Sequence, residues 1–343
     1  MAPLAVDVML ATEPVGAAER ARELAALGVD GVFSFENAHD VFFPLVLAAG
    51  LTDLELMTNV AIAFPRSPLH LAYAANDLQL LSKGRFRLGL GSQIRVHVER
   101  RYGAQWSHPV DRMREMVAAI HAIFASWQDR TRLDFRGDFT THTLMPPNFD
   151  PGPNPYGPPP VLVGSLGPRM TQMAAEVADG ILVMPFNSAR HFAERTIPAI
   201  ERGRASAGRG DGDLEVICEA IVATGRNDGE LEAARNGVRT LLAFYGSTPA
   251  YRPVLEVEGW EDLQPELNAL SKRGQWAEMG RLIDDQMVET LAVVGTPQEC
   301  ATGIVERFHP AAQRVCCYFP GYPVGDDAIA ELSAAVKDCS SRP

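Results

Sequence analysis

The chain is short of positive charge. Among its 343 residues, 31 Lys and Arg stand against 43 Asp and Glu, a formal net charge of -12. Such a surface repels phosphate backbones and excludes nucleic acid as the expected partner, while a local pocket for a phosphorylated cofactor stays allowed. Cysteine is sparse as well. Cys218, Cys300, Cys316, Cys317 and Cys339 form neither a CxxC pair nor a Cys/His metal spacing, and they read as free thiols of a reducing cytoplasm. The histidines show no HxH or HExxH pattern, so no metal is expected. No apolar run has membrane-spanning length, and the start MAPLAVDVML lacks the basic n-region of a signal peptide and soon turns polar at Thr12-Glu13. Walker and G-x-S-x-G sequences are missing too, which excludes P-loop and nucleophile-elbow chemistry. The expectation is a cytoplasmic protein with neither membrane nor nucleic-acid partners.

What is present is alternation. Hydrophobic residues make up 46% of the chain, enough for a large core. Short apolar runs at Leu4–Leu10, Gly31–Phe35, Leu54–Ala63, Phe86–Leu90, Val161–Gly164, Gly180–Met184, Leu214–Ala223 and Arg314–Phe319 read as strands. Between them lie stretches with helical spacing: Val15–Leu27 ended by Gly28, Val41–Ala49 ended by Gly50, Pro68–Leu81, Pro109–Trp127, Pro168–Val177, Ala189–Ala207, Asp228–Tyr245, Thr296–Phe308 and Asp326–Lys337. Eight strand-helix repeats predict a parallel α/β sheet closed as a (β/α)8 TIM barrel in one domain over 1–343. The rival open doubly wound sheet wants G-x-G-x-x-G after its first strand, and ATEPVGAAER lacks it. The Pro/Gly-rich stretch Met145–Pro160 reads as a surface loop. About 246–290 reads as an insertion before the last strand, carrying short helices at Trp260–Ser271 and Gln275–Ile283 and covering the barrel mouth.

A TIM barrel builds its site at the C-terminal ends of its strands. Glu36, ending the second strand, can bond a cofactor or move a proton, as can His39 in the next loop; the alternative is a helix-capping segment before Val41. Asn59 lies in an apolar run, where a buried amide needs partners; a heterocycle or the backbone would serve. After the fourth strand, Gly89 and Gly91 allow close approach of a backbone or flat ring, and Gln93, Arg95 and His97 follow as donors. The turn Gly164-Ser165-Leu166-Gly167 opens a helix at Pro168. Free amides there suit an anion, with Ser165 and Arg169 as added contacts to a phosphate, or the turn is an ordinary one with Pro at the first helical position.

These segments resemble the luciferase-like monooxygenase superfamily, specifically its deazaflavin (coenzyme F420)-dependent branch. The resemblance rests on LGVDGVFSFE, WSHPVDRMREM, VLVGSLGPRMTQMAAEVADGILV, the turn Gly295-Thr296-Pro297, and above all LELMTNVAIAFPRSPLHLAYAANDLQLLSKGRFRLGLGSQIR. It covers nearly the whole chain, 246–289 least. It implies a dimeric barrel with F420, or alternatively FMN, in its mouth, and a backbone bulge behind the ring at Asn59-Val60, often with a non-proline cis peptide. Ring contacts carry over to Glu36, Asn59 and Val60, with Gln93 and His97 beside them, and phosphate contacts to the amides of Leu166 and Gly167. Several F420-dependent members end the second strand in Asp-His; here Phe35-Glu36 stands there, which leaves Glu36, His39 or His97 as acid/base.

The expected activity is hydride transfer between deazaflavin C5 and a small-molecule or peptide-derived substrate, reducing an activated C=C, C=N or C=O or running in reverse. The alternative is an FMN-dependent monooxygenase using O2 and a separate reductase; a non-catalytic flavoprotein is a third reading. Trp260, Trp276, Tyr156 and Phe149 are candidates for an apolar substrate wall, a dimer surface or local packing.

Overall fold

The computed structural model describes residues 3–10, 13–210 and 212–341. Ala11 and Thr12, which follow the first strand in sequence, lie outside them. Eight strands form the barrel: β1 (Ala5–Met9), β2 (Gly31–Ser34), β3 (Glu55–Thr58), β4 (Phe86–Gly91), β5 (Val161–Ser165), β6 (Gly180–Val183), β7 (Glu215–Thr224) and β8 (Arg314–Tyr318). Each pairs in parallel with the next, and β8 pairs with β1 in the register Ala5↔Arg314, which closes the sheet. Closure removes the sheet edges, and helices cover the outside.

The interior is layered. At the N-terminal end Arg87 bridges Glu55 and Glu215, 2.8 Å from the latter, and Arg314 pairs with Asp7. Above that ionic plug sits an apolar layer of Phe33, Met57, Leu162, Leu182, Ile217 and Cys316. Gly89 belongs to the same depth: a Cβ there would lie 1.9 Å from the Thr58 carbonyl oxygen and 2.5 Å from Leu182. Only glycine lets β4 pass so close.

Residues facing out from the strands pack on the helices in one large cluster. The helix Pro68–Leu81 starts where the Ser67 side chain accepts from the Leu69 N–H, and Pro297–Phe308 opens with a Thr296/Glu299 capping box. The insertion holds four α-helices, Arg252–Glu258, Leu263–Lys272, Trp276–Arg281 and Asp285–Leu291. They bury a second cluster against Phe186, after β6, and Ile221 and Ala223 of β7. The insertion therefore sits against the C-terminal ends of these strands, beside the mouth.

Differences from the sequence reading are local. The expected third strand, Leu54–Ala63, breaks after Thr58 and resumes as Ala61–Ile62. The loop before β5 carries an antiparallel pair, Phe135–Arg136 with Thr141–His142. A short strand, Val293–Gly295, pairs in parallel with the end of β7. The helix expected over Ala189–Ala207 runs through a π-helical turn at Phe192–Thr196.

Candidate active site at the bulge after β3

The break in the third strand shapes the mouth. The Asn59–Val60 peptide is cis. Its flanks are held firmly. The Asn59 N–H donates to the Ser34 carbonyl at 2.7 Å, and the Thr58 hydroxyl donates to the Gly89 carbonyl while accepting from its N–H. Ala61 and Ile62 then pair with Leu90 and Gly91 of β4. Val60 is thereby turned onto the apolar layer. A Cβ on Gly91 would come within 2.4 Å of Val60 Cγ2, and one on Gly164 within 3.1 Å of Cγ1. Three strands thus make a low floor of small groups, Val60 between two glycines. Phe35 and Tyr318 meet edge-on above β2 and β8, 6.1 Å between centroids.

Two glutamates border this floor in opposite environments. Glu36 is tied down: Oε2 accepts from the Ile62 N–H at 2.9 Å and from Arg66 at 2.5 Å, and Oε1 accepts from the Tyr102 hydroxyl at 2.9 Å. Its side chain is only 7% exposed. Burial and the Glu36 carboxylate push the Tyr102 hydroxyl up to about 12. These contacts make Glu36 an anchor of the Ala61–Arg66 segment.

Glu219 is the other carboxyl, and sequence reasoning missed it. It lies on β7 two residues beyond inward-facing Ile217. From there it meets the Asn59 amide, whose Nδ2 donates to Oε2 at 3.2 Å. Among the described residues no cation pairs with it. Burial in the barrel pushes its carboxyl up to about 8, against a smaller lowering by the Asn59 hydrogen bond. The missed signal was the run EVICEAIVAT, where a glutamate at strand spacing from Ile217 interrupts an apolar strand.

The remaining expected residues spread around the rim. Gln93 adopts a positive φ of 58°, and its side chain accepts from the Ile94 N–H at 2.9 Å, so it shapes the turn after β4. Arg95 is exposed and pairs with Glu99, while His97 is half-buried on the helix Arg95–Arg100. His39 is exposed on the loop after β2. After β5, Ser165 is buried and faces Thr171, its Oγ accepting from Thr171 Oγ1 at 3.1 Å, so its hydroxyl serves the turn. Gly167 is the N-cap of the helix Pro168–Val177 and brings no side chain to it. Arg169 stands exposed in that helix's first turn. Half-buried Leu166 and Gly167 are placed to offer amides to an anion.

Over this geometry the comparisons are consistent. The family model for luciferase-like monooxygenase matches residues 3–314. The chain belongs to the luciferase-like monooxygenase family. It is an oxidoreductase of that family. An uncharacterised protein of Mycobacterium tuberculosis is 49% identical over 317 residues, covering 92% of this chain and 93% of that one. The 5,10-methylenetetrahydromethanopterin reductase of Archaeoglobus fulgidus is 28% identical over 302 residues, covering 85% and 84%. Among solved structures, the coenzyme F420-dependent tetrahydromethanopterin reductase of Methanopyrus kandleri superposes with a TM-score of 0.81 at 19% identity, covering 99% of both chains. That likeness supports the TIM barrel.

In this luciferase-like barrel the four aromatic residues considered for a substrate wall part company. Trp276 lines a cleft of about 420 Å³ with Phe244, Leu241, Met279 and Tyr318. Since Tyr318 also closes the floor beside Phe35, the cleft abuts the mouth. Trp260 packs in the insertion's own cluster. Tyr156 covers Gly84, and Phe149 accepts the Tyr73 hydroxyl on its carbonyl, so both belong to the loop before β5.

Proposed function

We propose that the chain is a coenzyme F420-dependent oxidoreductase that moves a hydride between deazaflavin C5 and a small organic substrate. The observation that carries this is the floor of Val60 seated between Gly91 and Gly164, a low surface of small groups on which a broad flat ring could lie. The donor set fits the group as well: a ring edge rich in carbonyl and N–H groups would find Asn59 and the rim residues Gln93 and His97. A phosphate would find the amides of Leu166 and Gly167 at the start of a ten-residue helix, with Arg169 adding charge. When bound, the deazaflavin supplies or accepts the hydride. The chain's own residues would position and shield it. Val60 would back the ring, Glu36 and Arg66 would hold the segment that carries Ala61 and Ile62, and the Trp276–Tyr318 cleft would take the substrate's apolar body.

Three wider assignments belong to the same proposal: one domain over 1–343, a homodimer, and a cytoplasmic setting that suits five unpaired cysteines. The test is to add F420 and FMN separately to purified protein and follow absorbance and fluorescence, then to assay anaerobic oxidation of reduced F420 with carbonyl and enone substrates. Saturable F420 binding with turnover is expected. Retention of FMN with substrate-dependent oxygen consumption would replace this reading by an FMN-dependent monooxygenase.

A further inference from the structure

The site as described still lacks an acid. Hydride addition to a neutral C=O or C=C leaves an electron pair that needs a proton, and Glu36 is occupied by Arg66, Ile62 and Tyr102. His39 and Arg95 are exposed, and His97 lies on the rim helix. Among the described residues one carboxyl remains that faces the floor itself, Glu219, which takes the Asn59 amide beside Val60. Resting on the F420 reading above, we propose that Glu219 is the catalytic acid/base, giving the substrate its proton during reduction and removing it during oxidation, and that the substrate is a neutral carbonyl or activated alkene.

The geometry is particular to this carboxyl. It stands on β7 one layer above the apolar ring of Ile217, Leu182 and Phe33, beside the Asn59 amide that adjoins Val60. The titratable groups facing it are Tyr318 and Cys316 from β8 and Tyr245 from the helix after β7. All three are acids that burial makes weaker, with Tyr318 up to about 12. None offers a positive charge, so among the described residues nothing beyond one amide hydrogen bond favours the carboxylate. With the carboxyl at about 8, protonated and ionised forms stand at roughly ten to one at pH 7. The residue keeps a part of its surface accessible, so proton exchange with solvent is open. The pair follows a known logic: two carboxyls in one site take separate roles because their surroundings differ. A neutral donor matches a neutral acceptor. A cationic iminium would need no proton on taking hydride and would favour a carboxylate neighbour.

The step balances. Hydride from the reduced deazaflavin forms the new C–H bond, the C=O π pair moves to oxygen, and the Glu219 O–H bond breaks to make the alcohol O–H. The deazaflavin is oxidised by two electrons, and Glu219 is left as a carboxylate that regains a proton from water. For an activated alkene the proton goes to the carbon or oxygen that carries the enolate charge.

Two readouts test this. Difference infrared spectroscopy on the protein without cofactor should show a protonated-carboxyl band that disappears with a midpoint near pH 8 and is missing in Glu219→Gln. In turnover, Glu219→Gln should bind F420 within about twofold of wild type and lose about 100-fold or more in kcat on carbonyl substrates. It should also lose the fall in reductive rate above pH 8, while Glu219→Asp keeps that fall at reduced kcat. A preformed iminium substrate, which takes hydride without a proton, should lose far less in Glu219→Gln than the carbonyl substrates do. The proposal is overturned if the band is absent at pH 7, if Glu219→Gln keeps wild-type kcat and pH profile, or if the iminium suffers the same loss. Failure of wild-type protein to bind F420 would instead overturn the cofactor reading, and the infrared band, recorded without cofactor, tells the two failures apart.

Discussion

Arg66 reaches back across the mouth to Glu36 at 2.5 Å, linking the end of β2 to the segment that follows the bulge. The same carboxylate accepts from the Ile62 N–H and the Tyr102 hydroxyl, so three elements hang on one side chain. Removing it strands a buried N–H and a guanidinium. Glu36→Ala should destabilise the fold by about 2–3 kcal/mol, less than a fully buried pair because Arg66 is 21% exposed. Glu36→Gln, which can still accept from Ile62, should cost about 1 kcal/mol and leave kcat within a few-fold once folded. Urea unfolding with parallel kinetics checks both. A stable Glu36→Gln protein that binds F420 and turns over 1000-fold slower would return the acid role to Glu36.

The Val60 seat makes a reciprocal prediction. Gly91→Ala puts a Cβ 2.4 Å from Val60 Cγ2, and the strand has no slack to move away. Val60 must shift toward the ring position, and F420 affinity should fall about tenfold or more. Val60→Ala in the same chain removes the clash, so the double variant should bind better than Gly91→Ala alone. Fluorescence titration of the four proteins measures the coupling. Additive losses would show that Val60 does not back the ring.

These two sites were unequally legible in the sequence. Apolar periodicity and helix-ending glycines located the eight strands and their helices to within a few residues, because burial on both faces dictates strand composition in a parallel barrel. The break in β3 was not visible in LELMTNVAIAF, since Val60 and Ala61 look like any strand residue; the resemblance supplied it. Glu36 was found by its place at a strand end, but its role depends on Arg66 and Tyr102, 30 and 66 residues away, which no local pattern reveals. Glu219 was missed because β7 reads as an apolar strand, and the one charge inside it does not by itself say how deep in the barrel it lies. Glu215 belongs to the ionic plug, and spacing alone cannot tell that its neighbour on the same face lies near the mouth.

The surface of two adjacent helices predicts the assembly. Phe43, Val46 and Leu47 on Phe43–Ala49, Leu51 just beyond it, and Leu80 and Leu81 at the end of Pro68–Leu81 are all exposed. So much apolar surface on one side of a monomer favours a second copy. Sedimentation velocity should show a dimer, and Leu47→Glu with Leu81→Glu should give a folded monomer. A wild-type monomer at micromolar concentration would contradict the dimer.

His191 sets an acid limit on stability. It is buried, bonded to Asn187 Oδ1 at 2.9 Å, and pushed down to about 4 by burial and by nearby Arg195. The unfolded imidazole takes a proton near 6.5 while the folded one does not, so the stability His191 contributes is intact above pH 6.5 and is lost as pH falls toward 4. Relative to His191→Gln, wild type should lose about 2 kcal/mol more between pH 7 and pH 4.5. Urea midpoints across that range check the slope, and parallel curves for the two proteins would refute it.

The most direct measurement is a crystal structure of the protein with oxidised F420. The account predicts the ring lying against Val60 between Gly91 and Gly164, its phosphate at the amides of Leu166 and Gly167, and the Glu219 carboxyl facing the substrate side. A ring seated elsewhere, in the Trp276 cleft for example, or a mouth filled only by solvent at saturating F420, would contradict it.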